Sequence, residues 1–461
     1  MKRQRQYLLL LLAATTLLAA CSGVEETDGL SADDWQAEPQ AVTFSAYVNR
    51  GTTRAGATGT LTVDGSNSTT SLQTAGFGVF AYYTDNHVFG PTAVPNFMYN
   101  QQVTGVSASN WTYSPVKYWP NETGATAMSY DTDHLSFFAY APYAAADAST
   151  GCVTGTATEK TTGIVAMSRP SDSGDPWVRY YASLKPTEAV DLCWAAPSLD
   201  QTKLAVGSTV NFNFKHALAA LNVQIDADID VVPHAASSLD TYTRIYVRSI
   251  TFEGFAEKGQ LDLNNSNSAP RWNNLDCDCD LTSDPITVYD GRRDGHEGMA
   301  ASLNETHAGL NPVIVQSGKY TVTPGANPGD PVTLTTITPG VTNTAVNLFD
   351  PTGVSGDAAA APIYVIPTGD KLRVTIVYDV ETYDPKLVSQ HLADGETHGS
   401  SIKNTITATI KTSGDADIIM EAGKQYTISL HLGMTSVKVN ADVTPWPENG
   451  VSATVNLPNN E

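Results

Sequence analysis

The chain has 461 residues, enough for two or three domains with sizeable cores. Its formal net charge is −22; residues 1–20 hold three of the 26 basic groups and no acid, so the remainder carries −25. So acidic a chain repels nucleic acid and anionic lipid, which argues against DNA or RNA as a partner.

Lys2, Arg3 and Arg5 open the chain, and Tyr7 to Leu18 form an apolar run broken only by Thr15 and Thr16. That run is shorter than the about 20 apolar residues that span a bilayer, so it reads as a signal-peptide core. It closes on Leu18-Ala19-Ala20-Cys21, which resembles the bacterial lipobox. Small residues there fit the peptidase, and the Cys21 thiol takes a diacylglyceryl group before cleavage. Residues 1–20 are therefore expected to be a lipoprotein signal peptide, with Cys21 the lipidated residue and 21–41 an acidic, aperiodic tether.

The first strand follows the tether. Val42, Phe44, Ala46 and Val48 alternate with Thr43, Ser45 and Tyr47, the period of a strand with one buried face. Arg50 and Arg54 then sit in a Gly- and Thr-rich stretch, 49–60, whose composition is that of an exposed loop. Further on, Phe77 to Tyr83, Trp111-Thr112-Tyr113 and Leu135 to Tyr140 read as short aromatic strands separated by polar inserts such as 144–187. Val210, Phe212 and Phe214 alternate before His216, and the domain boundary is placed at 210/211.

The second half repeats the style. Tyr246, Ile250 and Phe252 share a strand face, as do Leu372, Val374, Ile376 and Tyr378. Ile406, Ala408 and Ile410 follow, then Ile428 to Met434 and Val437 to Val443. Val451, Ala453, Val455 and Leu457 form a last, terminal alternation. No helix-period segment of useful length follows the signal peptide, and charged residues are only 16% of the chain. The expected fold is all-β, with antiparallel sandwiches over 42–210 and 211–461.

Catalytic constellations are largely absent. There is no Gly-x-Ser-x-Gly elbow, no phosphate-binding Gly-rich loop and no His-Glu-x-x-His; His296-Glu297 lacks the second histidine. His216 reads as a packed histidine whose ring bonds the backbone. Asp276, Asp278, Asp280 and Asp284 lack the glycine and the terminal glutamate of a calcium loop and read as solvated. Besides Cys21, four cysteines remain: Cys152, Cys193, Cys277 and Cys279. They permit three disulfide pairings, among which sequence does not choose, although a Cys277–Cys279 ring would strain disulfide geometry. Neither a metal nor a cofactor is expected, and no enzymatic activity.

Several stretches together resemble the fimbrillin family of the Bacteroidetes, the type V pilin subunits. They are Phe77-Gly78-Val79-Phe80-Ala81-Tyr82, Trp111 to Pro120, and Phe137 to Tyr143. Asp191-Leu192-Cys193-Trp194-Ala195, Phe214-Lys215-His216-Ala217-Leu218-Ala219-Ala220-Leu221, Ile366-Pro367, Gly423-Lys424-Gln425-Tyr426 and Val443-Thr444-Pro445-Trp446 complete the set.

The resemblance implies two transthyretin-like β-sandwiches and an exported precursor cut by an arginine-specific protease after the first strand. Here the matching cut is at Arg54 or Arg50. Removing the strand uncovers a groove that a terminal strand of another subunit fills, and Val451, Ala453, Val455 and Leu457 would be this chain's donor residues. The same residues could instead complete the chain's own sheet. Implied partners are other fimbrial subunits, the outer membrane through the lipid on Cys21, and a host or glycan ligand. Glu25 and Glu26 fit export to the cell surface. The implied role is a shaft or tip subunit supporting adhesion and biofilm formation. The alternatives are a monomeric surface lipoprotein that binds glycans or host ligands, and an uncleaved anchor.

Overall fold

The structure, a computed structural model, describes residues 40–48, 60–62, 69–107, 110–120, 133–154, 161–203, 209–227, 243–273, 285–290, 313–315, 320–323, 333–336, 346–348, 362–383, 399–412, 415–433, 437–445 and 454–455. It begins with β1 (Thr43–Val48), the hairpin β2 (Thr60–Thr62) and β3 (Thr69–Ser71), a one-turn helix α1 (Leu72–Ala75) and β4 (Phe77–Tyr83). Next come β5 (Met98–Ser107), β6 (Asn110–Thr112), β7 (Leu135–Ala141), β8 (Gly163–Met167) and β9 (Trp177–Tyr181). β10 (Cys193–Ala195), β11 (Ser198–Gln201) and β12 (Thr209–His216) close the first half.

The second half opens with β13 (Ala219–Ala227), β14 (Thr243–Glu253), β15 (Phe255–Ala256), β16 (Lys258–Asp262) and β17 (Arg271–Asn273). Shorter strands follow: β18 (Ile286–Asp290), β19 (Val313–Val315), β20 (Tyr320–Thr323), β21 (Thr333–Thr336) and β22 (Val346–Asn347). The last are β23 (Ile363–Pro367), β24 (Arg373–Tyr383), β25 (Gly399–Thr409), β26 (Lys424–Leu432), β27 (Val437–Pro445) and β28 (Thr454–Val455). The chain is thus all-β, and among the described residues no helix is long and apolar enough to cross a membrane.

An eight-stranded sheet runs β1-β12-β10-β7-β4-β5-β6, with β11 paired to β7. β4 and β7 lie at its centre and are buried on both faces, which is why each reads as a nearly continuous apolar run. Phe77, Val79 and Ala81 point into one core with Phe137 and Phe212, while Phe80, Tyr82, Phe138 and Tyr140 enter a second. Gly78 lets the two strands close. A Cβ there would stand 2.4 Å from the Tyr140 ring, whose hydroxyl donates to Asn100 Oδ1 at 2.7 Å.

The second core is covered by a four-stranded sheet, β17-β16-β9-β8. The polar insert 144–187 supplies β8 and β9, whose Ile164, Met167, Val178 and Tyr180 are buried. β9 pairs with β16, so strands from both sides of residue 210 build this layer. Residue 210 itself lies inside β12, and the chain leaves the first sheet at Ala217-Leu218. Ala217 N donates to Leu192 O, and Gly423 N to Leu218 O, each at 2.8 Å. Backbone from both halves meets at this crossing.

Beyond it, a sheet ordered β15-β23-β13-β26-β27-β28 faces another ordered β18-β14-β24-β25. Leu221, Val223, Ile428 and Leu430 from one layer meet Ile250, Phe252, Val374 and Ile376 from the other in a single core. The β14 face departs from simple alternation, because Val247 is buried together with Ile250 and Phe252. Pairing with β24 shifts between Val247 and Ser249, and the extra residue reverses the phase of the side chains.

Candidate functional site: the first strand and its groove

Among the described residues, strand β1 lies at the edge of the eight-stranded sheet and pairs with β12 alone. The pairing is parallel, Thr43 facing Thr209 and Val48 facing Phe214, whereas β12 meets β10 antiparallel. Parallel neighbours whose paired residues Thr43 and Thr209 lie 166 positions apart are held by tertiary packing rather than by a local turn; Thr43 Oγ1 and Thr209 Oγ1 hydrogen-bond across the pair at 2.7 Å.

The predicted inward set, Val42, Phe44, Ala46 and Val48, is buried as a whole. Phe44 fills an aromatic socket. Its ring centroid lies 6.2 Å from Phe77, 5.4 Å from Tyr113, 6.1 Å from Phe137 and 5.9 Å from Phe212. Such geometry adds about 0.5–1.5 kcal/mol per aromatic pair to area burial. Without β1, this socket and the inward side chains Val210, Phe212 and Phe214 of β12 would face solvent.

The other side of the strand is clasped near its start by residues 113–119. Val42 N donates to Lys117 O and Trp119 N to Gln40 O, both at 2.9 Å. The Tyr113 hydroxyl donates to Val42 O at 2.7 Å and accepts from Lys117 N at 3.3 Å. Burial raises the Tyr113 hydroxyl above its ordinary pKa and keeps it a donor at neutral pH. The Trp111 to Pro120 stretch, conspicuous in the sequence, therefore serves to hold the first strand. Tyr113 and Trp119 were not singled out individually there, because their contact with residues 40–42 is long-range.

A buried polar cluster sits where the first sheet ends. Cys193 and His216 are directly opposite in the β10–β12 register, and Asp191 precedes Cys193 by two residues. His216 is packed inside, as expected, and its Nδ1 lies 2.9 Å from the Asp191 carboxylate. Cys193 Sγ is 3.5 Å from that same nitrogen. Nucleophilic triads use the two ring nitrogens separately, one toward the nucleophile and one toward the acid. With thiol and carboxylate on one nitrogen, no proton relay forms. Burial, reinforced by the Asp191 charge, pushes the Cys193 thiol well above its ordinary pKa and makes it a poor nucleophile. The three donors are near enough to share a metal ion, yet the 2.9 Å His216–Asp191 separation is that of a hydrogen bond. The Asp-x-Cys spacing at 191–193 was the available signal for this cluster; its histidine partner comes from another strand.

Cys21, Arg50, Arg54, Val451, Ala453 and Leu457 lie outside the described residues, as do Cys277, Cys279, His296-Glu297 and the Asp276–Asp284 run. Val455 falls in β28, opposite Ala441 on the edge of β27. Cys152 and Cys193 are free thiols, so no disulfide joins them.

The fold and the groove define an all-β protein with a long-range edge strand packed on an aromatic core. The family model described as fimbrillin-like matches residues 53–446. The chain belongs to the fimbrillin-like family and is a fimbrial subunit, a protein of the cell surface. It is similar to a fimbrial protein from Bacteroides vulgatus at 20% identity, covering 88% of this chain and 99% of that one, with a TM-score of 0.49. It is also similar to a candidate cell-adhesion protein from Bacteroides uniformis at 13% identity, covering 81% and 93%, with a TM-score of 0.34. A search among curated proteins returned no match.

Proposed function

We propose that this chain is a structural shaft or tip subunit exported as a lipoprotein precursor, lipidated at Cys21 and matured by arginine-specific cleavage at Arg54 or Arg50. Cleavage severs β1 from the rest of the chain, and a strand of another subunit takes its place beside β12. The resulting filament supports adhesion and biofilm formation at the cell surface.

The observation that carries this reading is the placement of β1. It is an edge strand among the described residues, parallel to a partner far along the chain, and every inward side chain enters the core of the first half. Nothing covalent retains it once the chain is cut beyond Val48. An emptied groove of this kind binds an added strand through main-chain hydrogen bonds, with pockets for alternate side chains setting the register. Burying Val, Leu or Phe in it gains about 1.5–3 kcal/mol per side chain.

The test combines intact mass with N-terminal sequencing of protein extracted from the cell surface. A mature terminus just after Arg54 or Arg50, in material that runs as a denaturant-resistant ladder, is the expected result. A lipidated Cys21 terminus on a protein that stays monomeric would overturn the proposal.

A further inference from the structure

The shape of the groove bears on which strand can refill it, given the strand-replacement reading above. Its aromatic position is the Phe44 socket, ringed by Phe77, Tyr113, Phe137 and Phe212. The next inward positions are a small one, Ala46, and then a medium one, Val48. A strand that restores the packing must run parallel to β12 and alternate as medium, aromatic, small, medium.

The tail of this chain, 447–461, contains no aromatic residue. Aligned with Val451 at the place of Val42, it puts Ala453 in the aromatic socket and crowds Val455 into the Ala46 position. Slid two residues the other way, Val451 enters the socket while Ala453 and Val455 match Ala46 and Val48, but Asn449 replaces Val42. Leu457 reaches the socket only if Asn459 and Glu461 enter the apolar sites beyond it. Every register leaves the socket short of a ring or buries a polar group, and both are costly. Independently, the tail already has a seat on its own chain, with Thr454 opposite Asp442 and Val455 opposite Ala441 on the far edge of β27.

We infer that the groove accepts a strand from a different subunit, one with an aromatic side chain for the Phe44 socket, and that residues 447–461 of a second copy do not fill it. The subunit then enters a mixed filament and does not polymerise with itself through that tail.

The experiment uses the full chain cut by an arginine-specific protease, with labelled peptides offered for exchange and binding read by fluorescence anisotropy. Peptides are residues 40–50, the same with Phe44→Ala, the tail 447–461, and the tail with Val451→Phe. The first-strand peptide is expected to bind. Phe44→Ala and the native tail should bind at least about tenfold more weakly, with Val451→Phe recovering most of the tail's deficit. The cut chain alone should remain monomeric. A native tail that binds as well as residues 40–50, or self-polymerisation of the cut chain, overturns the inference while leaving strand replacement intact. If residues 40–50 themselves do not exchange in, strand replacement fails, and this inference with it.

Discussion

Tyr113 donates its hydroxyl to the main-chain oxygen of Val42 at 2.7 Å, joining a loop residue to the start of a strand 71 positions earlier. This bond works where pairing with β12 has not yet begun, since the ladder opens only at Thr43. Tyr113→Phe keeps the ring against Phe44 and deletes the oxygen. It also takes an acceptor from Lys117 N. The expected loss is about 1–3 kcal/mol, read as a lower midpoint in denaturant unfolding with an unchanged slope. After arginine-specific cleavage, the variant should release residues 40–50 faster than the parent.

Asp191→Ala takes the carboxylate away from the His216 ring inside the core. Removing one partner of a buried hydrogen bond costs about 1–3 kcal/mol, and more where charge is involved. Asp191→Asn retains an oxygen for the same nitrogen and should cost less. Thermal unfolding of the two variants beside the parent distinguishes them; equal midpoints for Ala and Asn would contradict the assigned bond.

The Asp147 carboxylate is held at a pKa of about 2 by the Ser149 hydroxyl first, then by the Thr150 and Ser149 amides. An acid lowered in the folded state contributes stability above its unfolded pKa, near 3.9, and loses that contribution as pH falls toward about 2. The 147–150 turn should therefore persist at pH 4 and loosen below about pH 3. A carboxyl carbon titration by NMR should place the Asp147 midpoint near 2. Ser149→Ala should move it upward.

Cys152 is partly exposed and Cys193 fully buried, with its thiol pKa raised. Iodoacetamide applied to the folded protein at pH 8 should alkylate Cys152 and spare Cys193. Both should react after denaturation, as peptide mass mapping would report. Early labelling of Cys193 would mean that the β10–β12 junction opens in the native state.

Strand type was legible wherever one face is buried. Val42, Phe44, Ala46 and Val48 announced both the strand and its inward side by alternation alone. The parallel partner of that strand was not legible, because Thr209 lies 166 residues away and alternation carries no information about pairing. β8 and β9 were hidden in a polar insert, since Ile164 to Met167 is a short apolar run flanked by Gly, Thr, Ser and Asp. On β14, only the ladder with β24 reveals the shift that buries Val247 together with Ile250 and Phe252. His216 announced its burial through the strand before it. Its carboxylate partner stayed unseen, because Asp191, two residues before β10, is brought beside it by the β10–β12 pairing and not by closeness along the chain.

The sheet built from β8, β9, β16 and β17 has a mechanical consequence. Because β9 and β16 are zipped from Tyr181–Lys258 to Trp177–Asp262, tension between the groove end and the β27 end does not fall on the Ala217-Leu218 crossing alone. It is shared with a ladder whose hydrogen bonds must break together before the halves can part. The two halves of the subunit are therefore joined by a sheet as well as by a single chain crossing.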